Sequence, residues 1–158
     1  MEVSGSKKLK VDAKGRVFIP KAMLEFEVAG SGQRALLTQL WLLPGLDGAL
    51  WVLDRDEWRR MQKRIRVHEV GDARLRAVQR LLFASVVQAE PDAQGRILLP
   101  DQHRKHAKIA APGEAWIVGV GRRIEVWAPQ VFGQYKAEAE RDWNKDLEAI
   151  LSGGEGPM

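Results

Sequence analysis

The sequence predicts an α+β fold in which one strand-rich unit occurs twice, each copy flanked by helix. Three observations lead there. The stretch Asp12-Ala-Lys-Gly-Arg16-Val-Phe-Ile-Pro20 returns eighty positions later as Asp92-Ala-Gln-Gly-Arg96-Ile-Leu-Leu-Pro100, with five of the nine positions identical. A second pair of segments, running from Gly45 to Trp58 and from Gly119 to Phe132, shares a plan: a glycine-containing turn, a four-residue strand, a helix start and an early aromatic residue. Finally, apolar residues recur at helical spacing after each copy.

The first element is a hairpin. Leu9 and Val11 alternate with Lys10 in a half-buried strand pattern, and Val17-Phe18-Ile19 is a short apolar strand. Asp12 suits the first position of a type I turn, where its carboxylate accepts from amides two residues on. Gly15 suits the last, where φ is positive. Together they predict a type I turn with a glycine bulge, and Asp92 and Gly95 predict the same turn in the second copy. Pro20 and Pro100 close the strands, because proline donates nothing to a ladder. The spacing from the turn motif to the second repeated segment is six residues longer in the first copy, and the loop around Ala29-Gly30-Ser31-Gly32 accounts for it.

Helices follow. Asp54 is an N-cap with Glu57 completing a capping box, and Trp58, Met61 and Ile65 line one face of a basic helix. A second helix starts near Asp72 with Leu75, Val78, Gln79 and Leu82 on one face, and passes into a strand over 84–89. Pro129 fits a first helical turn. From there Phe132, Tyr135, Ala139, Trp143, Leu147 and Ile150 make one long apolar stripe. The implied organisation is a first unit over 1–70, a connecting helix over 71–82, a second unit with its terminal helix over 83–151, and a disordered tail over 152–158.

Composition narrows the class. A chain of 158 residues can bury one good core or two small coupled ones. Without cysteine there is neither a disulfide framework nor a thiol nucleophile, which fits a reducing cytoplasm. No apolar run reaches membrane-spanning length, and no signal peptide is visible. Net charge is +4, but unevenly placed. Residues 1–16 carry five basic and two acidic side chains, and residues 54–80 nine and five, whereas residues 124–158 carry three and seven. Such polarity steers polyanions toward one face.

The repeated arginine has two readings. Asp12 and Arg16 can form a local ion pair across the turn, a purely structural role. Alternatively, the turn projects Lys14 and Arg16 from a rigid scaffold, where a guanidinium binds phosphate or a guanine edge bidentately and Lys7, Lys8 and Lys10 supply sequence-independent phosphate attraction. Arg96 is the weaker DNA candidate, because no lysines accompany it. Asp12, Gly15, Asp92 and Gly95 belong to the turn itself.

At Asp12 to Pro20, Gly45 to Trp58, Phe83 to Pro100 and Val118 to Trp127, the chain resembles the MraZ family of bacterial transcriptional regulators. The paired Asp-x-x-x-Arg motifs, each with glycine before the arginine and proline four residues after it, carry the resemblance. It departs at the basic stretch Ser6-Lys-Lys-Leu-Lys10 and at His103, where an aliphatic residue is expected. The resemblance implies two tandem AbrB-like β units of the swapped-hairpin type. It further implies a ring-shaped homo-oligomer reading tandem direct repeats in double-stranded promoter DNA, upstream of a division and cell-wall gene cluster that includes its own gene. A ring over a promoter blocks polymerase, so the expected regulator is a nucleoid-associated cytoplasmic repressor.

An enzyme is the rival class. His103 and His106 have a metal-like spacing but no third ligand or general base, and read as surface histidines. Gly30-Ser-Gly32 lacks the continuation of a phosphate loop, and no serine sits in a nucleophile elbow. No cofactor, metal, membrane or small-molecule substrate is expected. A third class, an AbrB-like antitoxin or interaction module without its own operator, is disfavoured by the internal repeat.

Overall fold

In the computed structural model, which describes residues 1–66 and 72–153, strand β1 (Ser6–Val11) turns back into β2 (Arg16–Phe18). The Asp12 amide donates to the Arg16 carbonyl and the Gly15 amide to the Asp12 carbonyl, both at 2.9 Å, and Gly15 takes φ +89°. This is the expected turn with its bulge. A short helix α1 (Lys21–Leu24) leads to a two-stranded ribbon of β3 (Glu25–Glu27) and β4 (Arg34–Leu36), whose connection holds Gly30 and Gly32 at positive φ. The longer spacing of the first half falls here. Strands β5 (Leu40–Pro44) and β6 (Leu50–Leu53) then precede helix α2 (Arg55–Arg66).

The second half begins with helix α3 (Ala73–Ser85), strands β7 (Val87–Ala89) and β8 (Arg96–Leu98), and helix α4 (Asp101–Ala107). It continues through β9 (Gly113–Val120), β10 (Arg123–Trp127), α5 (Pro129–Arg141) and α6 (Trp143–Gly153).

Eight strands form one antiparallel sheet in the order β7-β5-β6-β10-β9-β1-β2-β8. The two end strands are consecutive in the chain and joined by the second turn, where Asp92 N–H meets the Arg96 carbonyl at 2.9 Å. The sheet therefore curls into a near-barrel. The halves are interleaved within it. β1 pairs along its whole length with β9, from Ser6↔Val118 to Val11↔Gly113, while β7 joins β5. This arrangement gives the hairpin edges partners, which removes the bare edges that two separate small sheets would expose. In the β2–β8 pair, Val17 faces Ile97, its own counterpart eighty positions on, flanked by Arg16↔Leu98 and Phe18↔Arg96.

One principal core fills the barrel with residues from both halves, among them Val17, Leu40, Leu50, Ile97, Ile117 and Ile124, all at most 1 % exposed. Burial of each such side chain stabilises by about 1.5–3 kcal/mol. A smaller cluster of Leu43, Leu53 and Trp58 sits under α2, with Leu82 and Val86 packed against it and Phe83 edge-on to Trp58 at 5.8 Å.

Several expectations change at the helices. Asp54 caps α2 through the Glu57 amide at 2.9 Å, but the Glu57 carboxylate pairs with Arg60 at 2.7 Å rather than reaching back, so the capping box is half made. α3 runs to Ser85, so Ala84 and Ser85 are helical rather than extended. It packs lightly, with Val78 turned out to solvent and Leu75, Gln79 and Leu82 half-buried. The expected single terminal helix breaks at Asp142, which sits at φ −107° and ψ 16°; aspartate is a poor helix-interior residue. α6 includes Ser152 and Gly153, expected in the tail. The rest of that tail, and the boundary between the first unit and the connecting helix, lie outside the described residues. His103 is buried at 3 % exposure, not on the surface; it faces inward with Ala107, four residues on, and its Nε2–H satisfies the Ser85 carbonyl at 2.7 Å.

Candidate nucleic-acid interface

The two Asp-x-x-x-Arg turns are chemically alike. Asp12 Oδ1 accepts from the amides of Lys14 and Arg16 at 3.0 and 2.9 Å, and its Oδ2 accepts from Arg16 Nε at 2.7 Å. Asp92 repeats this with the amides of Gln94 and Arg96 and with Arg96 Nε, each at 2.9 Å. The backbone amide of Arg16, with further help from its guanidinium, holds the Asp12 carboxyl below the usual aspartate range, and Arg96 does the same to Asp92. Each carboxylate thus stays ionised and fixes its arginine.

The ion pair across the turn therefore exists, but it engages only Nε. Among the described residues the terminal nitrogens of Arg16 have no hydrogen-bond partner, and its side chain is 34 % exposed. A guanidinium gripped at Nε keeps two parallel donors for a planar acceptor. The structural and functional readings are compatible here. The Arg96 guanidinium carries the same Nε grip and lies 5.8 Å from the centre of the Phe18 ring.

Strand parity brings the two arginines to one surface. Val17 and Ile97 point into the core, so Arg16, Phe18, Arg96 and Leu98 alternate to the outer face of the β2–β8 pair. Phe18 is 45 % exposed and Leu98 53 %, so two apolar side chains sit between the arginines. Lys8 and Lys10 lie on the outer side of β1, opposite Leu9 and Val11, and Lys14 is exposed at the turn. Lys7 has the opposite parity and lines a cavity of about 590 Å³ beside the second turn, with Leu9, Phe18 and Lys21. The sequence-predicted lysines are thus split between two faces.

Sequence reasoning missed two participants. The exposed pair Phe18 and Leu98 was hidden because both read as core in an apolar run; only their fixed offset from the arginines could have revealed them. Arg104 on α4 was the other. Its Nε donates to the Leu99 carbonyl at 2.9 Å, it pairs with Asp101, and a Cβ on Gly15 would lie 2.8 Å from both Arg104 Nε and the Leu99 oxygen. The first turn is therefore wedged against the second half. A Cβ on Gly95 would meet nothing nearer than the Ile19 carbonyl at 3.8 Å. No cluster of metal-ligating side chains occurs among the described residues, and none of their helices is long and apolar enough to cross a membrane.

Comparison with known proteins places this geometry in a family. A family model described as "MraZ protein, putative antitoxin-like" matches residues 82–152. The chain is 35% identical over 141 residues to the transcriptional regulator MraZ of Carboxydothermus hydrogenoformans, covering 89% of this chain and 91% of the relative. It is 34% identical over 147 residues to the one from Pelotomaculum thermopropionicum, covering 93% and 94%. A third relative of the same description, from Desulforamulus reducens, is 33% identical over 141 residues, covering 89% and 92%.

Proposed function

The chain belongs to the MraZ family of transcriptional regulators, not of enzymes, and on that premise we propose that it binds promoter DNA through its Asp-x-x-x-Arg turns. The observation that carries this reading is the grip of Asp12 on Arg16 through Nε alone, which holds the guanidinium rigid while leaving its terminal donors available. Arg16 takes a phosphate or guanine edge bidentately. Lys8, Lys10 and Lys14 add phosphate attraction from the same side of the hairpin, and Lys7 tracks the backbone from its margin. Arg96 is the secondary contact, reached over Phe18.

The chain is one AbrB-like unit duplicated; the self-paired register at Val17↔Ile97 supports this. One such surface per chain is a small footprint. Single DNA modules bury about 600–1,000 Å², and strong specificity comes from several on spaced sites. The protein therefore acts as a ring-shaped homo-oligomer on tandem direct repeats, in the cytoplasm at the nucleoid. It represses the division and cell-wall gene cluster that contains its own promoter by occluding polymerase. The test is a salt titration of binding to the DNA upstream of its own gene, beside a shuffled duplex of equal composition. The expected result is tight binding to the upstream DNA with a steep salt slope. Equal affinity for both duplexes would refute operator recognition and favour an interaction module.

A further inference from the structure

Two exposed surfaces of this chain are complementary to each other and lie on different elements. The first is α6. Trp143, Leu147, Ile150 and Leu151 follow helical spacing and are 60, 36, 54 and 73 % exposed, and the helix buries no residue. Asp146 and Glu148 border this stripe and Asp142 precedes it; none has a basic partner among the described residues. The second surface is a groove of about 420 Å³ along α2, floored by Trp51, Met61 and Ile65 and edged by Arg64, Arg122 and Arg123, with Glu57 at its rim neutralised by Arg60 at 2.7 Å. Arg123 lies over the Trp51 ring at 4.6 Å and pairs with Glu125, whereas Arg64 and Arg122 have no acidic partner among the described residues.

We infer that α6 of one copy docks in the α2 groove of the next, which makes the assembly head-to-tail. The inference rests on the homo-oligomer reading above and names its interface. An apolar stripe bordered by carboxylates fits an apolar groove edged by guanidiniums, in the manner of a helix laid into a groove. The lengths agree, since 11 residues of α6 span about 16 Å and 12 residues of α2 about 18 Å. Pairing α6 with α6 sets acid against acid, and pairing grooves sets arginine against arginine, so neither surface suits a two-fold contact with itself. Two different surfaces per copy generate a ring when the rotation closes.

Mixing two blocked variants of the full chain tests this by light scattering after size exclusion. Trp143→Glu/Ile150→Glu blocks the helix, and Arg64→Glu/Arg122→Glu blocks the groove. All four positions are exposed, so both variants keep the wild-type circular dichroism spectrum. Each alone is a monomer, and their equimolar mixture is a dimer of twice the 17.8 kDa chain mass, because one intact helix meets one intact groove. Wild type running as a monomer would overturn the oligomer reading itself. An oligomeric wild type with variants of unchanged mass would leave that reading standing and overturn this interface. So would two monomeric variants that fail to pair. A groove variant that keeps its mass but loses DNA affinity assigns the arginines to nucleic acid instead, and overturns the docking.

Discussion

In the proposed interface Arg16 and Lys8 do different work, and substitution separates them. Removing the guanidinium takes away bidentate donors that read one place on the duplex, and such contacts are worth about 1–3 kcal/mol. Arg16→Ala should therefore lose roughly tenfold to a hundredfold in affinity for a single direct repeat while melting close to wild type, since Asp12 keeps its two amide bonds without the side chain. Lys8→Ala should weaken operator and shuffled DNA alike and lower the salt slope by about one. Equilibrium binding at several salt concentrations distinguishes them. His103 makes a separate claim about pH. Burial lowers its pKa below the ordinary 6.5, and its Nδ1 has no partner among the described residues. The unfolded chain thus takes up the proton first. Stability from this site is complete above about pH 6.5 and falls as pH drops through the lower folded value. The melting temperature should decline from pH 7.5 to pH 5, and His103→Leu should shallow that decline. An equally steep decline in the variant would remove His103 from the account.

At the level of elements, the two turns are alike in hydrogen bonding and unlike in surroundings. Both glycines have positive φ, +89° and +84°, where an L residue is strained by on the order of 1–2 kcal/mol. Only Gly15 also sits where a Cβ would strike a backbone carbonyl, that of Leu99. Gly15→Ala should lower the melting temperature clearly more than Gly95→Ala does. Equal losses would mean that the wedge formed by Leu99 and Arg104 is unimportant. This asymmetry was invisible in the sequence, because it comes from the backbone carbonyl of Leu99 and from Arg104, which lies outside the motif, brought against Gly15 by the fold. The turns themselves were legible, since Asp and Gly at those offsets satisfy a local geometry that needs no distant partner. Local rules also placed the helix starts at Asp54, whose carboxylate caps as expected, and near Asp72, whose carboxylate accepts from the Leu75 amide. Tertiary facts were not legible. The Glu57 carboxylate chose Arg60, and His103 went inward because a carbonyl 18 residues away, that of Ser85, satisfies its ring nitrogen.

On the scale of the whole molecule, the sequence indicated a tandem repeat but not how its halves meet, and the chain weaves both into one near-barrel. Pairing of β1 with β9 depends on residues more than a hundred positions apart, and no local pattern encodes it. The consequence reaches the proposed DNA contact as well as the core. Weaving sets β2 beside β8 and so brings Arg16 and Arg96 onto one outer face, which the spacing of the motifs in the chain did not indicate. The mixed character of that face, with Phe18 and Leu98 between the arginines, explains why charge counts alone located the basic end but not the proposed DNA-reading surface. The polarity between basic α2 and the acidic terminal helices was visible in those counts. That the terminal stripe is almost wholly uncovered beyond Tyr135 was not, because periodicity cannot distinguish a face that meets a core from one that does not.

The central claim is that rigidly held arginines, repeated around an assembly, read repeated DNA sites. It is tested most directly by binding curves for wild type and Arg16→Ala on duplexes carrying one, two, three and four direct repeats of the upstream sequence. Linked sites at millimolar effective concentration raise avidity by about 10²–10⁴. Wild-type affinity should rise by that order from one repeat to four, and Arg16→Ala should stay weak and nearly flat across the series at unchanged oligomer mass. Wild-type affinity independent of repeat number, or an Arg16→Ala curve that overlays the wild type, would contradict the account.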